Sequence, residues 1–291
     1  MSFSINTNIA AMSVLYNLGN NQNSLQNVSN QLSSGYKINS AADDAAGLAI
    51  ATKMSNQVTG LNRATQNAQD GLSMLQTMEG GISSIQDMLG RMRDLALEAS
   101  NATATSSDRT QISAELTQLQ QEITRTAKTT QFNTQTLLTG LTNGGIVFQV
   151  GANANQTITL KVASGNIQAS GGTGANAGLG ITSAMINSMQ GNTVSYAIKA
   201  ANNMVSKLDN ALSRVSKFRA NVGAVEDRLN FAINNLGSES NNLSTAQSRI
   251  MDTNMASSMT QFSKEQILVN AGISMLAQAN QMPGMVLKLL G

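Results

Sequence analysis

The chain contains no cysteine, no histidine and no tryptophan, and a single proline, Pro283. Without cysteine there are no disulfides and no thiolate metal sites. Without histidine, imidazole ligands and Ser-His-Asp or Cys-His catalysis are excluded as well; carboxylate or Ser/Lys chemistry is not excluded by composition. Aromatic residues make up 3%, so a core must be built from Leu, Ile, Val, Met and Ala on narrow seams, which suits coiled coils better than a thick globular interior. Charge is also scarce: 18 Lys/Arg against 16 Asp/Glu give a net charge of +2 over 291 residues. No basic cluster reaches the density of a nucleic-acid or anionic-lipid surface. No run of about 18 apolar residues offers a membrane span. The first residues lack a basic region followed by a continuous apolar one, so no cleaved signal peptide is expected, and export would not follow the general secretory route.

What the sequence does have is helical periodicity, and it is clearest where charge is absent. Residues 1–36 carry no charged side chain, and neither do residues 266–287. In the first stretch Ala11, Leu18, Leu25 and Leu32 recur every seven residues, supported by Ile9, Met12, Leu15 and Val28. In the last, Met255, Phe262, Val269 and Leu276 do the same, with Met259, Ile273 and Leu287 between them, and the series resumes at Leu290 after Pro283. This spacing predicts helix-on-helix burial. A membrane-surface helix would place Lys/Arg on its polar face, and residues 1–36 have none. Uncharged flanks rich in Asn, Gln and Ser predict ends that fold when many copies pack together.

Between the ends, a break is expected at Ser33-Ser34-Gly35, and Asp43-Asp44 suits a helix start, where carboxylates meet the positive end of the backbone dipole. Met54, Leu61, Ala68, Leu75, Ile82, Leu89 and Ala96 then hold a seven-residue repeat, with Val58, Leu72, Met78, Ile85 and Met92 on the second row. Gly80-Gly81 is the weak point of this helix, at about 1 kcal/mol per glycine. A shorter helix opening near Asp108 carries Ile112, Leu116, Leu119, Ile123 and Thr126 and should fold back on the first. Asp87, Asp94 and Glu98 against Arg91 and Arg93 read as a solvated ion-pair face. Ile146, Phe148 and Val150, then Ile158, Leu160 and Val162, alternate around Gly151–Gln156 and predict one β-hairpin. Residues 163–180, including Gly171-Gly172-Thr173-Gly174, read as loop; no Gly-Lys-Ser/Thr follows, so they do not make a phosphate loop. From Val194 the repeat returns: Ala201, Leu208, Val215, Val222, Leu229, Leu236, Leu243 and Ile250, with Val205, Leu212, Phe218 and Val225 beside it. The fold class is therefore mainly α, a long antiparallel helical bundle with one β-hairpin, plus terminal helices that form a coiled coil on assembly. The expected divisions are residues 1–33 and 254–291 as terminal helices, 34–46 as a connecting segment, 47–130 as the long and short helices, 131–192 as hairpin and loops, and 193–253 as the last bundle helix.

With these elements in order, several stretches resemble bacterial flagellin: Ile5-Asn-Thr-Asn-Ile9, Leu32-Ser-Ser-Gly-Tyr-Lys-Ile-Asn39, Asp43-Asp-Ala-Ala-Gly-Leu-Ala-Ile50, Gln131-Phe-Asn133, Phe148-Gln-Val-Gly-Ala-Asn-Ala154, Ile233-Asn-Asn-Leu236, Ser248-Arg-Ile250 and Met275-Leu-Ala-Gln-Ala-Asn-Gln281. The resemblance implies an extracellular filament subunit that polymerises with itself. It also implies export through the flagellar type III route, and as partners a flagellar export chaperone, a cap protein and hook-junction proteins. The terminal helices would form an inner tube, with Leu18, Leu25, Leu32, Phe262, Val269 and Leu276 as its packing seam. Arg91, Leu95 and Glu115 match positions at which similar flagellins meet the vertebrate toll-like receptor for flagellin, and they are candidates for contact between subunits. Gly90 and Asp94 depart from the residues usual beside them. The variable outer domains of longer members, which would sit between about 165 and 190, are reduced to a loop, and Gly291 stands where many members end in Arg or Gln. The resemblance implies no cofactor and no enzymatic activity. A secreted helical binding or translocator module is the competing reading; such a module would not need both ends uncharged and apolar.

Overall fold

The computed structural model describes residues 7–139, 145–160, 167–169, 178–190 and 193–290, leaving aside the side chains of 283 and 285–290. Among the described residues, six helices and two small antiparallel hairpins follow in order: α1 (Ile9–Ser34), α2 (Ala45–Ala99), α3 (Ser106–Thr129), β1 (Gln131–Phe132), β2 (Gln135–Thr136), β3 (Ile146–Gln149), β4 (Thr157–Leu160), α4 (Ser183–Ser188), α5 (Val194–Met251) and α6 (Met255–Leu290). The chain divides into two compact units, residues 59–240 and residues 1–58 with 241–291.

In the 59–240 unit, α2 and α5 run antiparallel. Arg93 Nε donates to Asp209 at 2.6 Å, Arg219 donates to Glu79 at 3.0 Å, and Ser240 donates to Asn62 at 3.1 Å. The predicted rows are buried here: Leu61, Ala68, Leu75, Ile82, Leu89 and Ala96 from α2 meet Ala201, Leu208, Val215, Val222 and Leu229 from α5, with Met78, Ile85 and Met92 beside them. The ionic residues of α2 behave differently from expectation. Arg91 pairs with Glu115 of α3 and Arg93 with Asp209 of α5, so these pairs join helices instead of lying along one. Rim positions of an antiparallel bundle bring the neighbouring helix within reach of a long arginine.

Helix α3 begins with a capping box. Thr105 Oγ1 accepts from Asp108 N–H and the Asp108 carboxylate accepts from Thr105 N–H, which satisfies two otherwise orphaned donors. The helix buries polar residues as well as apolar ones. Arg109, 2% exposed, donates to the carbonyls of Ala99 and Asn101 at 3.1 and 3.0 Å, closing the end of α2. Gln120 donates to the Ile181 carbonyl at 2.8 Å and accepts from Ser183 Oγ at 3.0 Å, so α4 is seated by both ends of one amide.

Two elements differ from the sequence reading. The hairpin β1–β2 was not expected; its turn places Asn133 and Thr134 at φ of 47° and 66°, the left-handed pair that matches strand twist in a two-residue loop. Helix α4 falls in a stretch read as loop. The predicted hairpin is present as β3–β4, pairing Phe148 with Ile158; Val162 and the loop residues Gly171–Gly174 lie outside the described residues. The hairpin comes against α2 where glycine permits it. A Cβ on Gly71 would lie 2.7 Å from the Phe148 ring, and one on Gly60 would lie 2.9 Å from the Ala152 Cβ.

Candidate functional site

The unit formed by residues 1–58 and 241–291 holds the uncharged helices. Helix α1 ends where Gly35 adopts φ 75° and its N–H bonds the Gln31 carbonyl at 2.9 Å, a left-handed stop suited to glycine. Beyond it the chain is clasped to the junction of α5 and α6. Lys37 N–H donates to the Met251 carbonyl at 2.6 Å, Thr253 N–H donates to Gly35 at 3.0 Å, and Tyr36 bridges Asp252. The two aspartates expected at a helix start divide the work. Asp44 Oδ1 accepts from Gly47 N–H at 2.8 Å and caps α2, while Asp43 Oδ2 accepts from Asn39 and Ser40 N–H at 3.0 and 2.9 Å. Those backbone donors, Ser40 first and Asn39 next, hold the Asp43 carboxyl below the ordinary aspartate range.

Helices α1 and α6 pair antiparallel, with Asn8 beside Ala279, Leu18 beside Gly272 and Gly35 beside Thr253. On α1, Ala11, Leu18 and Val28 are buried, and Val14, Asn21, Leu25 and Leu32 half-buried. These are the two rows of a heptad, 11-18-25-32 and 14-21-28. On α6, Ser258, Glu265 and Val269 are buried, and Phe262, Gly272, Leu276 and Ala279 half-buried. All six seam residues named from sequence thus sit on the inner rows. Of the supporting residues, Val28 joins them, whereas Ile9, Met12, Leu15, Met259 and Ile273 are exposed, as is Met255 at the start of the α6 repeat; the second row of α6 is the small and polar series Ser258, Glu265, Gly272 and Ala279. The side chains of Leu287 and Leu290 lie outside the described residues. A Cβ on Gly272 would be 3.1 Å from Leu18 Cδ1, so that glycine lets the helices approach closely. Glu265, 7% exposed, has no hydrogen-bond partner among the described residues.

The second candidate surface lies in the other unit. Arg91 Nη2 and Glu115 Oε1 form an exposed ion pair at 2.8 Å. Leu95, expected with them on the surface, is instead 2% exposed and part of the core. It lies on the inward row of α2 beside Ala96 and Met92, where no partner can reach it. Among the described residues there is no group of three or more Asp/Glu able to hold a metal ion, and no helix long and apolar enough to cross a membrane.

Long heptad-patterned helices, two small hairpins, and a seamed, charge-poor helix pair drawn from the two ends of one chain define a fibrous structural protein of the coiled-coil type. Its lineage is equally clear. The bacterial flagellin N-terminal helical region matches residues 5–143 and the flagellin C-terminal helical region matches residues 205–290. The chain is 41% identical over 286 residues to a flagellin of Halalkalibacterium halodurans, covering 98% of this chain and 99% of that one. It is 38% identical to the flagellar filament 30.7 kDa core protein of Treponema maltophilum over 296 residues, again 98% and 99% of the two chains. A putative flagellar hook-associated protein from Vibrio parahaemolyticus shares the fold at a TM-score of 0.59 and 14% identity, over 72% of this chain and 100% of that one. The chain belongs to the bacterial flagellin family.

Proposed function

We propose that this chain is the structural subunit of an extracellular flagellar filament, a homopolymer used for motility, in which the α1–α6 pair is the inner packing layer. The observation that carries the reading is the outer face of that pair. With the seam closed, Ile9 is still 68% exposed, Met12 63% and Tyr16 72%, and on α6 Met259, Ile267, Ile273 and Met275 are exposed as well. Contiguous apolar surface of this kind marks an interaction site. Because α1 carries no charge and α6 carries none between residues 266 and 287, the partner this surface fits best is another copy of the same pair. Family membership supports the same role, which needs no catalytic step and no cofactor.

On this reading Leu18, Leu25, Leu32, Phe262, Val269 and Leu276 hold each inner pair together. Export follows the flagellar type III route without a cleaved signal peptide, served by an export chaperone, and growth is guided by cap and hook-junction proteins. The exposed Arg91–Glu115 pair is a contact between neighbouring subunits, and in a vertebrate host a contact for the toll-like receptor for flagellin.

Seeded sedimentation of the full chain, followed by electron microscopy of the pellet, tests the assignment. The wild type should pellet as filaments. Leu276→Glu should keep the helical circular dichroism of the soluble chain and raise the critical concentration by roughly tenfold or more, because an unpaired buried charge costs several kcal/mol. A wild-type chain that stays in solution after seeding would favour the helical binding or translocator module. Normal growth of Leu276→Glu would remove the seam from the assembly interface.

A further inference from the structure

Helix α6 runs without a break from Met255 to Leu290, and the only proline in the chain, Pro283, lies inside it. A proline has no N–H, so the carbonyl four residues earlier loses its intrahelical donor. That carbonyl belongs to Ala279, and it is met from the other helix: Asn8 Nδ2 donates to it at 2.9 Å. The opposite end of the same amide is also in use. Asn8 Oδ1 accepts from Ala11 N–H at 3.0 Å and caps α1. Among the described residues, no other hydrogen bond joins α1 and its cap to α6.

The apolar seam by itself leaves the register of the pair open. Ala11, Leu18, Leu25 and Leu32 repeat every seven residues, and Phe262, Val269 and Leu276 do so opposite them, so a slip of one heptad again sets apolar rows together. Polar contacts that form in one alignment only remove that degeneracy; the Thr253–Gly35 bond does so where α1 ends, and the Asn8–Ala279 bond does so at the far end of the pair. In a slipped pair the Ala279 carbonyl would have no donor and the Asn8 amide would meet carbonyls already bonded within α6. We propose that Asn8 and Pro283 form a register lock for the terminal helices: the proline leaves one free acceptor on α6, and the asparagine is the donor placed to take it. The lock belongs to a single chain and goes beyond the filament reading, on which it does not depend.

Engineered disulfides read the register directly, since the chain has no cysteine of its own. A Cβ on Gly272 would lie 3.8 Å from Leu18 Cβ, within the span of a disulfide. Leu18→Cys with Gly272→Cys therefore reports the native alignment, and Leu25→Cys with Gly272→Cys reports a slip of one heptad. Each pair is oxidised in the full chain, in soluble and pelleted fractions, in four backgrounds: otherwise unchanged, Asn8→Asp, Pro283→Ala and both. Asn8→Asp keeps the acceptor that caps α1 and removes the amide donor. Pro283→Ala returns an N–H to the Ala279 carbonyl. The native cross-link should dominate in the unchanged background. Each single substitution should lower its ratio to the slipped cross-link by roughly fivefold, the weight of one unmet hydrogen bond. The double substitution should lower it no further, because both changes remove the same contact. The proposal is overturned if neither substitution moves the ratio or if their effects multiply. It is equally overturned if the native cross-link fails to form in the unchanged background in both fractions. Filament formation is scored separately by sedimentation, so loss of polymer and loss of register are told apart.

Discussion

Gly80 and Gly81 are neighbours on α2, and alanine should have opposite effects at the two positions. A Cβ on Gly80 has nothing within 4 Å, whereas a Cβ on Gly81 would lie 2.7 Å from Thr130 Oγ1, 2.9 Å from Thr130 Cγ2 and 3.0 Å from Leu138 Cδ1. Helix propensity favours alanine by about 1 kcal/mol at both. At Gly80 that gain stands alone, and the 59–240 unit should melt about 2–4 °C higher. At Gly81 it is opposed by overpacking, which costs about 1–3 kcal/mol. Thr130 cannot swing aside freely, because it is the C-cap of α3 and its hydroxyl donates to the Thr126 carbonyl at 2.7 Å; losing that bond costs about 1 kcal/mol more. Gly81→Ala should therefore destabilise the unit by about 1–3 kcal/mol after the propensity gain is set against these losses. Thermal unfolding of the unpolymerised chain, followed by circular dichroism, measures both variants. Adding Thr130→Ala to Gly81→Ala should recover part of the loss. Equal rises in melting temperature for the two glycine substitutions would refute the close approach of the α3 end to α2.

Arg109→Met should cost about 1–3 kcal/mol in urea unfolding, because the buried Ala99 carbonyl at the end of α2 loses its donor, while the Asn101 carbonyl keeps only Ala104 N–H. Glu226 gives a pH-dependent prediction. Burial first, then Glu79 and Asp227, raise its pKa, and its Oε1 has no partner among the described residues. The folded chain holds that proton more tightly than the unfolded one, so Glu226 weakens the fold as pH rises through the carboxylate range. Glu226→Gln should accordingly stabilise the unit at neutral pH by up to about 1 kcal/mol, and the advantage should vanish in acid when melting curves are compared across pH. For Asp43 the sign is reversed. Its lowered pKa makes the turn it holds secure above the ordinary aspartate range and loose as pH falls through the depressed value. Hydrogen exchange at Asn39 and Ser40 should report that loss, and Asp43→Ala should remove the pH dependence.

The long helices were legible because one row of residues decides their burial. In α2 and α5 every position of the seven-residue repeats from Leu61 to Ala96 and from Ala201 to Leu236 is buried. The terminal helices were half legible. Their seven-residue rows are buried or half-buried apart from Met255, but the supporting residues Ile9, Met12, Met259 and Ile273 lie outside the seam. Apolar character marks a residue that something will cover, without saying whether the cover is the same chain or another. The true second row of α6, Ser258, Glu265, Gly272 and Ala279, has no apolar signal at all. Two-residue strands such as β1 and β2 are too short to alternate, and α4 is too short to show a helical period. Arg109 and Gln120 carry no apolar signal. Their signal was positional, since 109, 113, 116, 120, 123 and 127 share one face of α3. Leu95 is the opposite case: the resemblance implies a surface contact, and its place on the inward row of α2 makes it a core residue.

The clasp and the lock have a consequence for timing. Asn8 and Ala279 are 271 residues apart, so α1 is made early and its partner almost last, while every helix of the 59–240 unit finds its neighbours in between. Long-range closure of this kind is the slowest step a topology can impose. A chain cut short before Ala279 can still build its middle, yet its first helix waits for a seal that never arrives. Closure of the terminal pair therefore depends on the chain having been made through Ala279, the residue that meets Asn8.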